Sequence, residues 1–173
     1  MGRVTRAQLI EGDRSAGATD ARTLAQTGRP ERQFQELWFT LARRGWRSLS
    51  IVPADEGLAC TEIGRSLAEV GRLLDERVTL FGMSKNLDFP SASQAVAGAA
   101  PSHPGPPSRF DESPGKVIVA LPPVVSEPLG VAVATASDLV VLCVRLGRSR
   151  VAAARRTIEL IGRERIAGCL IVR

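Results

Sequence analysis

The chain contains no tyrosine, only two lysines and one histidine in 173 residues, and its aromatic share is 4%. Each scarcity narrows what the protein can do. His103, the single histidine, lies in the run Pro101-Ser102-His103-Pro104-Gly105-Pro106-Pro107, where no ordered neighbour is expected beside it, so neither a metal nor a catalytic role is assigned to it. The three cysteines, Cys60, Cys143 and Cys169, are odd in number and scattered, and two sit in strand-like apolar runs; they read as buried thiols of a reducing compartment. No apolar run is long enough to cross a bilayer, since even the stretch from Leu129 to Val144 is broken by Asp138. Arg3, Arg6, Glu11, Asp13 and Arg14 interrupt the N-terminal region, which therefore lacks the apolar core of a secretory signal. A cytoplasmic protein is expected, with at most a peripheral contact at the inner membrane.

What is present is a globular composition, 44% hydrophobic and 24% charged, with a net charge of +5. That charge is concentrated. Between Arg145 and Arg165 seven arginines face Glu159 and Glu164, whereas the region from Trp46 to Val144 is net acidic. The high pI thus reports one basic helix. Nucleic-acid binding calls for a broader basic footprint or stacking aromatics, so no nucleic-acid partner is expected.

Along the chain, residues 1–29 carry no sustained periodicity and read as a disordered tail. Pro30 opens a helix whose Phe34, Leu37, Trp38 and Leu41 share one face. A strand is predicted at Ser48–Val52, a loop from Pro53 to Thr61, and a helix carrying Ile63, Leu67, Val70 and Leu74 at i, i+4, i+7 and i+11. A second strand is predicted at Arg77–Phe81. A Pro/Gly-rich insertion at about 91–115 reads as a surface loop. Strands follow at Lys116–Leu121 and Leu139–Val144, then an amphipathic helix at Ser149–Gly162 with Val151, Ala154, Ile158 and Ile161 inward, and a last strand at Gly168–Val172. Continuous apolar strands alternating with amphipathic helices predict an α/β, three-layer, P-loop-like (Rossmann-like) domain over residues 30–173 with a mostly parallel sheet.

A strand, a glycine-containing loop and a helix is the setting in which a P-loop holds phosphate. Backbone N–H groups wrap the phosphates, a lysine neutralises their charge, and a serine or threonine holds magnesium. The pattern G-x-x-x-x-G-K-[ST], laid on this loop, puts Ala54 and Ala59 at the glycines, Cys60 at the lysine and Thr61 at the hydroxyl. Only Thr61 fits. Gly57 preserves a turn at most, and neither Lys85 nor Lys116 is near the loop in sequence.

The order of these segments resembles the bacterial tyrosine kinases of capsule and exopolysaccharide systems, and the Min/ParA group of deviant P-loop ATPases. Residues Glu31–Leu41 are similar to the helix that precedes the first strand in those kinases. Glu56-Gly57 and Ser66-Leu67-Ala68-Glu69-Val70-Gly71 resemble their phosphate loop and the helix after it. Val117-Ile118-Val119-Ala120-Leu121-Pro122-Pro123-Val124 resembles their Walker B strand "V-I-I-D-T-P-P-V", and Ser137-Asp138-Leu139-Val140-Val141-Leu142-Cys143-Val144-Arg145 resembles "A-D-x-V-L-L-V-V-R". Against that pattern Ala120 replaces the magnesium-ordering aspartate. The second strand runs Val78-Thr79-Leu80-Phe81-Gly82 without the family's two acids, and Val172 stands for an asparagine. With no tyrosine in the chain, tyrosine autophosphorylation within it is excluded.

The resemblance with these losses implies a catalytically inactive relative that uses no cofactor or metal and acts as an accessory or scaffold in exopolysaccharide synthesis or export. A Min/ParA-like adaptor in positioning or secretion, and an unconventional nucleotide-binding enzyme, are the alternatives. A protein partner is expected, a membrane component of polysaccharide synthesis or export, together with self-association. Phe34 and Trp38 are expected to be shared between core and partner. Arg155 and Arg156 are the candidate contacts on the basic helix. Asp55 and Glu56 read as solvated loop charges.

Overall fold

The structure, a computed structural model, describes residues 31–82, 88–99 and 115–173. The expected tail, His103 and most of the expected insertion lie outside them. The described chain runs α1 (Arg32–Ala42), β1 (Ser48–Pro53), α2 (Cys60–Leu73), β2 (Val78–Gly82), α3 (Phe89–Ala99), β3 (Lys116–Ala120), α4 (Leu129–Ala136), β4 (Leu139–Arg145), α5 (Val151–Ile161), a 3-10 turn at Arg163–Arg165 and β5 (Ile166–Val172).

The five strands form one sheet in the order β2-β3-β1-β4-β5, and every pairing is parallel. β1 is central, and all six of its residues are buried. A strand covered on both faces can carry polar groups only where they find partners inside the protein. Ser48 and Ser50, the exceptions in composition, are satisfied. The Ser50 and Ser137 hydroxyls lie 2.7 Å apart, and the Ser48 hydroxyl accepts the Asp138 N–H at 3.0 Å. The Asp138 carboxylate in turn accepts the backbone N–H groups of Arg47 and Ser48, each at 2.8 Å, which fastens the start of β4 to the start of β1.

Each sheet face carries its own core. On one, α1 and α2 bring Phe34, Trp38, Leu41, Ile63 and Leu67 against Leu49, Ile51, Ile118 and Val141. On the other, α3, α4 and α5 pack Ala92, Val96, Val133 and Ile161 against Val52, Val119 and Val140. The expected three-layer α/β domain is thus the observed one.

Four expectations are corrected. Phe34 and Trp38 offer no exposed anchor, because they are 4% and 2% exposed. The Trp38 indole meets Trp46 edge-on with centroids 5.4 Å apart. It also occupies the space a side chain on Gly71 would fill, since a Cβ there would lie 2.4 Å from Trp38 Cη2. The first part of the expected insertion is helical instead of loop. In α3, Ala92, Val96 and Ala99 are buried at i, i+4 and i+7, Pro90 sits in the first turn where it sacrifices no helical hydrogen bond, and the Asp88 carboxylate accepts the Ser91 N–H at 3.1 Å and the Ser91 hydroxyl. A helix, α4, lies where no element was assigned. In α5, Ile161 is buried as expected, but Val151 is 78% exposed and the buried partner of Ile161 is Thr157.

Candidate functional site

The loop between β1 and α2 lies at the C-terminal end of the sheet, the end at which open parallel sheets bind ligands. β1 places its last residues between β3 and β4: Ile51 is level with Ala120, and Pro53 with Cys143. Pairing continues past the strand ends. The Ala54 N–H donates to the Cys143 carbonyl at 2.8 Å and the Leu121 N–H to the Ile51 carbonyl at 2.9 Å. Ala54, Gly57, Ala59, Cys60, Thr61 and Ala120 therefore lie at one end of the sheet.

Several of these positions are packed into the core: Ala54, Cys60 and Ala120 are all buried. Cys60, at the lysine position, is 3% exposed and belongs to the core with Cys143, Ile51 and Ala120. A thiol–thiol hydrogen bond with Cys60, burial, and the charge Cys60 would carry as a thiolate all push the Cys143 thiol far up, so Cys143 is held protonated. The Cys60 N–H, which in a phosphate-binding nest would be turned to the anion, is turned to the Leu58 carbonyl at 3.0 Å. Ala120 is 2% exposed, so the Walker B position presents a methyl group to the core. Thr61, the one residue that fits the pattern, packs against the end of β2: a Cβ on Gly82 would lie 2.7 Å from its methyl carbon.

The acids of the loop are committed within the protein. Asp55 accepts the Ser149 hydroxyl at 2.8 Å through one oxygen and the Arg150 N–H at 3.1 Å through the other. It thereby anchors Ser149 and Arg150, the two residues that lead into α5. Glu56 accepts the Ser126 hydroxyl at 2.9 Å. Glu56 is exposed, as expected of a solvated loop charge, whereas Asp55 is half-buried and bonded, which corrects the expectation for that residue. Gly57 has a φ of 83°, a backbone conformation for which glycine is suited, and a Cβ there would lie 3.7 Å from an Arg145 guanidinium nitrogen.

The fold has a solved counterpart. A structure described as "BceF Tyrosine Kinase Domain" matches this chain with a TM-score of 0.51 and 16% identity, covering 80% of this chain and 73% of that one. At this identity the likeness is one of fold. No family model and no curated protein matches the chain.

Arg145 is the residue that sequence reasoning missed. It closes the stretch that resembles "A-D-x-V-L-L-V-V-R", yet nothing local in the sequence links it to Gly57; only the β1–β4 pairing does. Arg155 and Arg156 are exposed on α5, away from the loop in sequence, and Arg156 pairs with Glu159 at 3.2 Å. Among the described residues no group of three or more metal-ligating side chains occurs. No described helix is long and apolar enough to cross a membrane.

Proposed function

We propose that the chain is a catalytically inactive relative of the polysaccharide tyrosine kinases, serving as an accessory or scaffold protein in exopolysaccharide synthesis or export. The observation that carries this reading is the replacement of the lysine and aspartate positions by Cys60 and Ala120, both packed into the core. Charge-assisted hydrogen bonds contribute roughly 1.5–3 kcal/mol each. Losing the lysine and the magnesium-ordering acids together therefore costs on the order of a thousandfold or more in nucleotide affinity. Phosphoryl transfer suffers further, because it rests on positioned charge. Arg145 brings one cation to the loop, but Asp55 and Glu56 bring two anions, so the local balance does not favour a polyphosphate. The polysaccharide assignment rests on the resemblance of the segment order and the Pro-Pro-Val turn, and the partner is accordingly a membrane component of that machinery.

Calorimetric titration with millimolar ATP or ADP and magnesium is expected to give no binding heat, and Cys60→Lys alone is expected to restore little. A micromolar, magnesium-dependent affinity that Arg145→Ala abolishes would instead establish the unconventional nucleotide-binding enzyme.

A further inference from the structure

The most exposed large apolar residue in the described chain is Val151, at 78%, followed in the same part of the fold by Leu146 at 60% and Ile171 at 58%. They come from three different places, the β4–α5 turn, the start of α5 and the end of β5. The Leu146 N–H donates to the Val172 carbonyl at 2.8 Å, which joins the turn to the strand end beside Ile171, and Val151 opens α5 directly after that turn. The turn itself is held firmly. Gly147 has a φ of 72°, the Arg148 and Ser149 N–H groups both donate to the Arg145 carbonyl, and the Arg145 N–H donates back to the Ser149 hydroxyl at 2.8 Å.

Around these apolar side chains the surface is cationic. Arg148, Arg150, Arg155 and Arg173 are exposed, and Arg155 follows Val151 by one helical turn on the same face of α5. Of the acids in this part of the fold, Asp55 accepts the Ser149 hydroxyl and the Arg150 N–H, as described above, and Glu159 pairs with Arg156. By contrast Val125 and Leu129, also exposed, flank Glu127 and have no arginine near them in sequence.

We propose that this rim docks on an anionic lipid surface, with Leu146 and Val151 entering the headgroup region and Arg148, Arg150 and Arg155 meeting lipid phosphates. Charge complementarity selects an anionic occupant. The form of the apolar part selects a lipid: single side chains, each set among arginines and projecting from separate elements, suit a fluid interface that closes around each one. A protein partner would take its energy from an aromatic or arginine anchor seated in a packed, desolvated patch. The inference goes beyond the scaffold reading and is independent of it, because its readout involves no nucleotide.

The test is co-sedimentation of the full chain with vesicles of phosphatidylcholine alone or containing one third phosphatidylglycerol, at low and high salt. Binding is expected only with phosphatidylglycerol and is expected to weaken with salt. Leu146→Asp combined with Val151→Asp should lower affinity roughly tenfold or more. Arg148→Ala and Arg150→Ala should each lower it about fivefold. Leu73→Asp, at the exposed end of α2, should change nothing. All these positions are exposed, and unchanged melting curves would verify that the variants fold. Absence of binding, equal binding to both vesicles, or binding indifferent to Leu146→Asp with Val151→Asp would each overturn the proposal. So would vesicles that fail while an acidic protein is captured through the same arginines.

Discussion

Trp38 illustrates how a residue can be correctly located and wrongly assigned. Its helical spacing with Phe34 and Leu41 marks a common face, but spacing alone does not say whether that face meets the same chain or another one. Here Gly71 settles it, since only a residue without a side chain leaves room for the indole. Trp38→Ala is therefore expected to destabilise the fold by about 3–5 kcal/mol through the cavity it leaves, measured by urea denaturation. A change in partner affinity at unaltered stability would contradict the buried placement. Cys60 and Ala120 were legible as departures because each lies inside a short contiguous pattern, the phosphate loop for Cys60 and the stretch ending in Pro-Pro-Val for Ala120. Arg145 was not, because its proximity to Gly57 exists only once two strands pair.

At the scale of elements, legibility followed amphipathicity. α1 and α2 show the apolar periodicity of helices with one buried face, and the strands β3 and β4 show the apolar runs Val117–Leu121 and Leu139–Val144 of a covered sheet. α4 shows neither. Its sequence Leu-Gly-Val-Ala-Val-Ala-Thr-Ala is apolar or small on nearly every side and merges with β4, so no period separates helix from strand. α3 was obscured by its proline and serines, although Asp88 and Pro90 are helix-start signals.

The fastening of β4 to β1 through Asp138 also belongs to this scale. Partial burial opposes the charge on Asp138, but the N–H groups of Arg47 and Ser48, the Ser48 hydroxyl and the Arg47 charge outweigh it and hold the carboxyl below its ordinary 3.8. A depressed folded-state value means that the stabilisation is complete above the ordinary carboxylate range and is lost as pH falls through the lower value. Asp138→Ala should cost about 1–2 kcal/mol at neutral pH, a hydrogen-bond magnitude discounted for solvent exposure. Urea midpoints of the variant and the natural chain should converge as the solution is acidified; a constant gap would exclude the charge as the cause.

For the molecule as a whole, α1 is part of the first core and not an accessory arm. Removing it would uncover Trp46, which is 1% exposed, along with the α2 face that holds Val70 and Gly71. A chain beginning at Trp46 is accordingly expected to aggregate, as light scattering would register. A soluble, cooperatively melting 46–173 protein would return α1 to the role of a partner-facing helix.

The central position of β1 sets an order of events for the growing polypeptide. β1 is formed by residues 48–53, yet its two sheet neighbours, β3 and β4, begin only at residues 116 and 139. During synthesis the most deeply buried strand is thus made long before either edge of it can be covered, and closing the intervening loops costs entropy before any ladder repays it. Before β3 and β4 emerge, only helices can shield its faces, α1 and α2 on one side and α3 on the other. Translation rate and chaperone access over the segment between β1 and β3 consequently bear directly on how much of the nascent chain reaches the folded state.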